Sequence, residues 1–366
     1  MNLGGTLRVN KFACFTLVFV LFLIIYWRSG GNGYPTDVSD LVSIKSLLNA
    51  AIYAAERGGV KVIEGKNKGL KVHSKGKTKE GANDPVTDAD YASHCAMYYT
   101  IKNAFPKLAI VSEEHSDGNS ECQNQDPIDL ESTPQGQRIL NSINDEHVLA
   151  KDVTVWIDPL DATQEYTEGL YSYVTTMVCV AINGVPIVGV IHYPFPPTTY
   201  WGWLMKRTSS NIPKILYKED NKNHPKVIVS RSHPGKVAEI AKNAFGEKTV
   251  ITKSAGAGNK FISILNGTND VYLHETAIKK WDLCAGHAIL KTNNGTMTTT
   301  KGETIDYSSG SNVVVSDGIL ATLMICRFIC KAMTCVVYFH YLDSTNNRKR
   351  MIKKAKYKRV HSHYKF

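Results

Sequence analysis

The sequence lacks the residue patterns that mark several common functional sites. Its 8 cysteines contain no CxxC pair, and their spacings do not indicate which of them form disulfides. Cys326, Cys330 and Cys335 lie close together, but no histidine stands at ligand spacing beside them, which argues against a zinc site there. The segment GAGNK at 256–260 is neither a Walker A loop nor a complete GxGxxG, and the chain has no internal repeat. These absences give no support to a zinc module, a P-loop protein or a repeat protein.

A general excess of basic charge is also missing from most of the chain, although the formal net charge is +10. Residues 324–366 contain 11 of the 43 Lys and Arg residues and one of the 33 acidic residues, which leaves 32 of each sign in residues 1–323. This balance argues against a general binder of polyanions, so we expect no nucleic-acid partner. The basic C-terminal run is typical of a solvated end, with nucleic-acid or membrane contact as the alternative.

One long uncharged hydrophobic run stands near the N-terminus, at residues 12–27. Its 16 residues are few for a membrane span and also fit the hydrophobic region of a signal peptide. No small-x-small cleavage site follows the run, and Arg8 and Lys11 precede it. By the positive-inside rule these features predict a signal anchor at 12–27, with a cytoplasmic N-terminus at 1–11 and the rest of the chain in the lumen. We therefore expect a single-pass type II membrane protein with a flexible stalk at 28–36.

The expected lumenal position makes two further features relevant. Asn266-Gly-Thr and Asn294-Gly-Thr are sequons for N-glycosylation, each of which is a weak signal alone. A hydrophobic run of 16 residues suits the thinner bilayers of early secretory membranes better than a thick plasma membrane. We therefore expect a glycoprotein of the Golgi or the endoplasmic reticulum.

The body of the chain alternates between the periodicities of helices and strands. A helical pattern covers 40–59, where Gly58-Gly59 is expected to end it, and a second pattern covers 90–105, just before Pro106. Residues 173–194 predict a β-hairpin with Asn183-Gly184 at its turn. The alternation predicts an α/β fold of layered sheets and helices. Further strands are predicted at 107–115, 153–157, 225–232 and 312–316, and further helices at 233–245 and 259–267.

Acidic residues stand at the ends of four predicted elements. The stretch WIDPLDATQEY carries Asp158 and Asp161 directly after the strand VTVWI, although each such group alone fits a turn or a helix cap. Unpaired carboxylates that meet repel one another and desolvate at a high cost, a conflict that a divalent cation resolves. Mg²⁺ takes oxygen ligands, whereas Zn²⁺ prefers the His and Cys that these groups lack. The other acidic groups are Asp84, Asp88 and Asp90, then Glu113 and Glu114, and Asp282.

The same residues resemble those of a known family. Asp90, Glu113-Glu114, DPLDAT at 158–163 and WDLCAG at 281–286 match, in order and spacing, the inositol monophosphatase superfamily of lithium-sensitive, Mg²⁺-dependent phosphomonoesterases. The combined match is highly specific, whereas DPxDxT alone is a weaker signal. The chain is most similar to the Golgi-resident phosphatases of that superfamily that act on 3′-phosphoadenosine 5′-phosphate (PAP). Those share the N-terminal anchor, SKGKTKEGA, DPLDATQEYTEGL, VSRSH and IKKWDLCAGHAILK.

The resemblance covers roughly residues 37–323 and implies a fold and a domain organisation. The family fold is a layered α/β/α/β/α sandwich of the inositol monophosphatase and fructose bisphosphatase type, with the active site between two lobes. We therefore expect a phosphatase domain at 37–323, divided into a metal-binding lobe at 37–200 and a substrate lobe at 201–323. The basic tail at 324–366 departs from the family pattern.

The resemblance also implies roles for individual residues around two or three Mg²⁺ ions. Asp90 and Thr163 would orient and deprotonate the attacking water, and Asp158 would bridge two ions. Two such ions can clamp the attacking and leaving oxygens of an in-line displacement. The implied ligands are Glu113, Asp158 and the backbone carbonyl of Leu160 for the first ion, and Asp158, Asp161 and Asp282 for the second.

Substrate recognition is expected from two segments of the second lobe, VSRSHPG and SAGAGNK. The resemblance implies contacts from Ser230, His233, Gly256 and Lys260, since small residues let a backbone approach a ligand and a lysine meets a second phosphate. The implied activity is hydrolysis of the 3′-phosphate of PAP in the Golgi lumen, which clears a by-product of sulfotransferases. Inositol monophosphate is the alternative substrate, and a membrane-tethered member without activity is the alternative class. A homodimer is compatible with the resemblance.

Overall fold

Helices and strands alternate along the described part of the chain. This computed structural model describes residues 40–69, 71–77, 83–115, 122, 143–213, 225–232 and 236–323. The helices are α1 Ile44–Lys68, α2 Asp88–Ala104, α3 Thr163–Thr167, α4 Val237–Phe245, α5 Ala257–Leu265 and α6 Lys280–Thr292, with 3₁₀ turns at Ala150–Asp152 and Tyr171–Tyr173. The strands are β1 Leu41–Ser43, β2 Val72–Lys77, β3 Asn83–Thr87, β4 Ala109–Ser112, β5 His147–Leu149, β6 Val153–Asp161, β7 Thr175–Ile182, β8 Val185–Pro194, β9 Pro197–Trp203, β10 Arg207–Thr208, β11 Lys226–Ser230, β12 Val250–Ser254, β13 Val271–His274, β14 Ile278–Lys279, β15 Thr296–Thr299, β16 Val314–Val315 and β17 Ile319–Thr322.

The first helix continues beyond the point at which the sequence pattern places its end. α1 runs to Lys68, so the prediction that Gly58 and Gly59 end it is wrong. A Cβ at Gly58 would lie 2.5 Å from Met97 Sδ, and one at Gly59 would lie 2.6 Å from the His192 ring. The two glycines therefore let α2 and β8 approach α1 closely. This packing outweighs the cost of a glycine inside a helix, which is about 1 kcal/mol.

The first sheet has 6 strands in the order β10-β9-β8-β7-β6-β4. The predicted hairpin forms its centre, because β7 and β8 pair antiparallel around Asn183 and Gly184. Both turn residues have positive φ, 50° and 75°, as a type I′ turn requires. β4 joins the sheet parallel to β6, which is buried along its whole length. β9 and β10 also belong to this sheet, which therefore extends to Thr208 in the chain. The lobe boundary at 200/201 stays a prediction.

The second sheet has 5 strands in the order β12-β11-β13-β17-β15. β11 pairs parallel with both β12 and β13, and α4 and α5 provide the crossover connections that parallel strands need. β17 pairs antiparallel with β13 and β15, so the sheet is mixed. Ser230 and Ser254 stand side by side at the carboxyl ends of β11 and β12, which is where ligands commonly bind in open α/β sheets.

Alternating strand residues divide the hydrophobic core into layers. In the first sheet, Val155 and Val178 face α1 and α2, whereas Trp156 and Cys179 face α5 and α6. The second sheet contributes one face to the core around α5 and α6 and packs its other face on α4. The elements are therefore stacked in the α/β/α/β/α order that the family resemblance implies.

Two disulfides, whose pairing the cysteine spacings left open, connect elements of the fold. One joins Cys95 of α2 to Cys122, and the other joins Cys179 of β7 to Cys284 of α6. Disulfides persist in oxidising compartments and are rare in the cytosol. Their presence is compatible with the expected lumenal position of this part of the chain.

Some sequence-based predictions concern residues outside the described part of the chain. These are the N-terminus at 1–11, the anchor at 12–27, the stalk at 28–36, His233 and the tail at 324–366. Within the described residues, none of the helices combines the length and the hydrophobicity that a bilayer crossing requires.

Candidate active site

Strand β6 carries the DPLD motif to the edge of the first sheet. Its ladder with β7 pairs Asp158 with Met177 and becomes irregular between Asp158 and Asp161. The hydroxyl of Ser93, on α2, donates a hydrogen bond of 2.6 Å to the carbonyl oxygen of Pro159. Such an irregularity bends a strand and re-aims its side chains. The bend and the Ser93 bond therefore hold the turn that presents the two aspartates.

Glu113, Asp158 and Asp282 converge at this strand end. Glu113 directly follows β4, and its backbone N–H donates a 3.1 Å hydrogen bond to the carbonyl oxygen of Ile157. Asp282 lies in the first turn of α6, which comes from a distant part of the chain. One carboxylate oxygen of each of the three residues lies within 4.8 Å of the other two. The fold thus brings together three of the predicted metal ligands, which we call the carboxylate triad.

The surroundings of Asp158 indicate that the triad suits a cation. Asp158 is 1% exposed, and neither of its oxygens receives a hydrogen bond from any residue that the structure describes. A buried carboxylate without a partner is costly unless an ion compensates its charge. Mg²⁺ takes carboxylate oxygens and keeps several waters, whereas the triad offers no nitrogen or sulfur ligand to Zn²⁺. The residues present therefore fit the Mg²⁺ that the sequence predicts.

The electrostatics of the triad favour protonation until a cation is bound. Burial, followed by the charges of Glu113 and the neighbouring aspartates, raises the pKa of Asp158 well above its usual value. Burial is also the main cause that raises the pKa of Glu113 to about 8 and that of Asp282 to about 7. A divalent cation has the opposite effect, because it stabilises the ionised carboxylates.

Lys75, to which the sequence analysis assigned no role, reaches the edge of the triad. It lies on the β2–β3 hairpin, and its Nζ is 3.1 Å from Glu113 Oε1 and also contacts Glu114 Oε1. Burial opposes its positive charge, but the two carboxylates together raise its pKa. Glu114 is 4% exposed, so Lys75 neutralises a buried carboxylate beside a predicted metal ligand. The basic segment SKGKTK was the only signal in the sequence, and it does not identify one lysine.

Asp90 and Thr163, which are predicted to lie beside the reacting water, form a hydrogen-bonded pair. Asp90 Oδ2 accepts hydrogen bonds from the backbone N–H (2.8 Å) and the hydroxyl (2.5 Å) of Thr87, which caps α2. Thr163 Oγ1 lies 3.0 Å from Asp90 Oδ1 and 3.0 Å from the carbonyl oxygen of Leu160. Burial raises the pKa of Asp90 to about 6, although the Thr87 hydrogen bonds act against it. A hydroxyl and a carboxylate that can accept a proton therefore lie in direct contact.

Asp161, the remaining predicted carboxylate ligand, lies outside the triad and contacts the second lobe. Its two oxygens accept hydrogen bonds from the backbone N–H groups of Ala257 (2.9 Å) and Gly258 (2.8 Å) and from the hydroxyl of Thr175 (2.9 Å). Ala257 and Gly258 begin α5, so Asp161 stabilises the N-terminus of that helix. Each carboxylate oxygen has two lone pairs, so this capping leaves room for a cation. The role of Asp161 as a metal ligand stays a prediction.

Among the predicted substrate residues that the structure describes, Gly256 lies against the DPLD turn and Lys260 contacts Gly256. Ser230 ends β11 and is 7% exposed, and Lys260, on α5, is 4% exposed. Gly256 has a φ of 68°, and a Cβ at this position would lie 3.1 Å from Asp161 Oδ2, so a glycine lets the two segments approach. The Nζ of Lys260 donates a 2.6 Å hydrogen bond to the carbonyl oxygen of Gly256. His233 lies outside the described residues.

Glu165, which no sequence motif singled out, connects the helix after the DPLD turn to the second lobe. It is 3% exposed, and its Oε1 accepts hydrogen bonds from Ser232 Oγ (3.0 Å) and Arg231 Nη1 (3.3 Å). Arg231 also donates to Glu168 at 2.8 Å. Glu165 belongs to α3, which begins with Thr163. The segment after Ser230 is therefore held against the helix that carries the predicted proton relay.

We expect the metal-free protein to lose stability as the pH rises from about 5 to about 8. The folded pKa values of Glu113 and Asp282, about 8 and about 7, lie above the unfolded values of about 4, so the folded state binds more protons in this range. Thermal unfolding in EDTA should shift to lower temperature as these protons are released. In saturating Mg²⁺ the shift should be much smaller. Asp282→Asn should flatten the pH dependence in EDTA, and an equal dependence with and without Mg²⁺ would contradict a metal site.

Comparisons with known proteins show the family and the fold of this chain. The sequence profile of the Inositol monophosphatase family matches residues 43–331. "Inositol monophosphatase 3" of Danio rerio is 49% identical over 279 residues, which cover 73% of this chain and 78% of that protein. "Golgi-resident adenosine 3′,5′-bisphosphate 3′-phosphatase" of Rattus norvegicus is 44% identical over 307 residues, covering 81% and 82%. The crystal structure of CysQ from Bacteroides thetaiotaomicron, a bacterial member of the inositol monophosphatase family, has the same fold, with a TM-score of 0.54 at 20% identity over 76% of this chain and 98% of that one. This chain belongs to the inositol monophosphatase family.

Proposed function

We propose that this protein is a Mg²⁺-dependent phosphatase that hydrolyses the 3′-phosphate of PAP, giving AMP, in the Golgi lumen, where it clears a by-product of sulfotransferases. The observation that carries the proposal is the carboxylate triad with its uncompensated Asp158, in a chain of a phosphatase family. The substrate is inferred from the Rattus norvegicus relative, whose name specifies adenosine 3′,5′-bisphosphate, another name for PAP. The protein would thus be a 3′(2′),5′-bisphosphate nucleotidase.

The carboxylates of the first sheet and of α6 would hold two or three Mg²⁺ ions. Glu113, Asp158 and Asp282 provide the convergent oxygens, and the Leu160 carbonyl and Asp161 are the further donors that the family pattern predicts. When bound, Mg²⁺ would neutralise the charge of the phosphoryl group and align the attacking and leaving oxygens. The protein's own contribution is to keep these oxygens in place before substrate arrives, which avoids reorganisation during the reaction.

Asp90 and Thr163 would activate the attacking water. The water would donate a hydrogen bond to Thr163 Oγ1, whose own proton points to Asp90 Oδ1 at 3.0 Å. As the water oxygen bonds to phosphorus, the bond between phosphorus and the 3′-oxygen would break, the water proton would pass to Thr163 and the Thr163 proton to Asp90. The departing 3′-oxygen would take up a proton from solvent water to give the 3′-hydroxyl of AMP. A carboxyl group with a pKa of about 6 can accept this proton near neutral pH and release it afterwards.

The second lobe would bind the nucleotide part of the substrate. Ser230, His233, Gly256 and Lys260 are proposed to contact it. Gly256 lies against Asp161 of the DPLD turn, and Lys260 Nζ contacts the Gly256 carbonyl oxygen, which supports the proposal. Burial lowers the pKa of Lys260, because removing a cation from water is unfavourable. An anionic group of a ligand beside Lys260 would stabilise its positive charge. PAP has a second phosphate that can serve this purpose, and an inositol monophosphate has none.

We expect the lumenal part of the protein to release phosphate from PAP only when Mg²⁺ is present. PAP and inositol 1-phosphate should be compared side by side, in Mg²⁺ and in excess EDTA, because the Danio rerio relative is named an inositol monophosphatase. Faster hydrolysis of PAP supports the proposal, and faster hydrolysis of inositol 1-phosphate would assign the alternative substrate. No hydrolysis of either would support the non-catalytic alternative, and full activity in EDTA would contradict the metal centre. Lithium should inhibit, as the family pattern implies.

The cellular site is proposed as the Golgi membrane, with the phosphatase domain in the lumen. The relative in Rattus norvegicus is named Golgi-resident, and the two disulfides suit an oxidising compartment. Residues 12–27 are the proposed anchor, with 1–11 on the cytoplasmic side. A homodimer is compatible with the family, and the proposed function does not depend on it.

We expect the domain to be protected from protease in sealed membranes of cells that express the full chain. Asn266 and Asn294 are both exposed on the folded surface, so glycosidase treatment should increase the mobility of the protein on gels. A control with both asparagines changed to glutamine should lose the glycosidase shift and keep the protease protection. Recovery of the domain in the cytosol, digested without detergent, would overturn the topology and the proposed substrate pool.

A further inference from the structure

One of the disulfides lies beside the metal ligand that comes from the second half of the chain. Cys179 of β7 and Cys284 of α6 are joined, with their Cα atoms 5.6 Å apart and a sequence separation of 105. Both cysteines are buried, at 1% and 0% exposure. Cys284 stands two residues after Asp282 in the first turns of α6. The link therefore ties the N-terminal part of the ligand-bearing helix directly to the first sheet.

The other end of the disulfide lies next to the strand that carries Asp158. In the β6–β7 ladder, Cys179 is opposite Trp156, and Met177 is opposite Asp158. Cys179 is thus on the neighbouring strand, one side-chain repeat away from the partner of Asp158. The disulfide therefore joins α6, which supplies Asp282, to the strand that pairs directly with β6, which supplies Asp158.

The triad benefits from such a restraint because its members repel one another in the ionised form that binds Mg²⁺. Glu113 and Asp158 are held by adjacent strands, β4 and β6, whose backbone hydrogen bonds fix their spacing. Asp282 has no such ladder to either of them and approaches on a helix packed across the sheet. Like charges brought together in a buried site disfavour their ionised forms. A movement of the N-terminus of α6 away from β6 would relieve that repulsion and separate the metal ligands.

We propose that the Cys179–Cys284 disulfide positions Asp282 for Mg²⁺ and so raises the affinity of the site for the metal. The disulfide resists the outward movement of α6 in the metal-free protein, so less free energy is needed to assemble the three ligands when the ion binds. The proposal rests on the metal centre of the proposed function. It concerns a positioning device and not a group that contacts the substrate.

The chain contains a matched control for this proposal. The second disulfide, Cys95–Cys122, starts from α2 and includes no residue next to a member of the triad. Its removal should lower the free energy of unfolding, because the unfolded chain gains conformational entropy when a disulfide is lost. It should not alter Mg²⁺ affinity. The comparison therefore separates a local effect on the metal site from a general loss of stability.

The experiment is calorimetric titration with Mg²⁺, together with thermal unfolding in EDTA and in saturating Mg²⁺, on the lumenal part of the protein and two double variants. We expect Cys179→Val with Cys284→Ala to weaken Mg²⁺ binding about tenfold. Substituting residues that orient metal ligands typically lowers metal affinity by about 10–100-fold. By linkage, the stability gained from Mg²⁺ should fall by the equivalent about 1.4 kcal/mol. Cys95→Ala with Cys122→Ala should lose equal stability with and without Mg²⁺.

Two results would overturn the proposal. One is a Mg²⁺ affinity that is the same in both double variants and in the wild type. The other is an equal loss of affinity in both variants, which would indicate general loosening. If the first double variant does not fold, Cys284→Ala alone keeps the Cys179 thiol to fill the space and receives the same titration. Because Mg²⁺ binding is read directly, the result does not depend on whether PAP is the substrate.

Discussion

Replacing Asp158 with asparagine is expected to abolish phosphatase activity by removing tight Mg²⁺ binding. Asp158 is the most deeply buried member of the triad, and its oxygens have no hydrogen-bond donor among the described residues. An asparagine there has no negative charge and turns an NH₂ group toward the ions. Even residues that only orient metal ligands are worth about 10–100-fold in metal affinity, so we expect a loss of more than about 100-fold.

The loss should be measured by Mg²⁺ titration and by phosphate release from PAP at increasing Mg²⁺. Asp317→Asn is a suitable control, because Asp317 pairs with Lys301 at 2.8 Å on the surface. The control should bind Mg²⁺ and hydrolyse PAP as the wild type does. In EDTA, Asp158→Asn should be at least as stable as the wild type, since it removes one of the repelling carboxylates. Wild-type Mg²⁺ affinity in Asp158→Asn would show that Asp158 is not a ligand.

Replacing Asp90 with asparagine is expected to slow the chemical step by about 10²–10⁴-fold, the usual value of a general base. Mg²⁺ affinity should be largely retained, because Asp90 is not a member of the triad. Asparagine keeps an oxygen that can accept the Thr87 N–H hydrogen bond, so the cap of α2 survives. It cannot take up the proton that Thr163 would pass on.

Single-turnover rates at saturating Mg²⁺, combined with Mg²⁺ titration, distinguish this role from that of Asp158. Asp88→Asn is the matched control, since Asp88 lies two residues earlier on the same helix, is exposed and pairs with His73 at 2.9 Å. It should show wild-type turnover. If Asp90→Asn and Asp158→Asn lost the same Mg²⁺ affinity, Asp90 would be a metal ligand and not mainly a proton acceptor.

The local elements of this fold could be predicted where short-range chemistry decides them. The hairpin at 173–194 combines β-branched, apolar strands with Asn183-Gly184, and few alternatives to a tight turn exist for that pair. The end of α1 could not be predicted in this way. Gly58 and Gly59 weaken a helix locally, but here they allow close packing against Met97 and His192. The periodicity of the sequence carries no information about these contacts.

The candidate site likewise has features that the sequence predicts and features that only the structure shows. The motifs around Asp90, Glu113, Asp158 and Asp282 indicated the candidate residues, and their oxygen-only chemistry indicated Mg²⁺. The motifs could not show that Asp161 caps α5, because that contact depends on how the second lobe meets the first. Lys75 and Glu165 were missed for a related reason. A lysine in a basic segment and a glutamate in a short helix have no distinguishing pattern until their partners are known.

The sequence by itself indicated the chemistry available to this protein: the family, the candidate acidic ligands, the candidate proton-accepting pair and part of the order of helices and strands. These depend on residue identity and on spacing along the chain. Only the tertiary structure decided which carboxylates meet, which cysteines pair and which charges are left buried without a partner. The physical reason is that repulsion, desolvation and covalent cross-linking act over a few ångströms in space. The contact between Asp158 and Asp282 is made across more than 100 residues of chain by the packing of α6 on the first sheet.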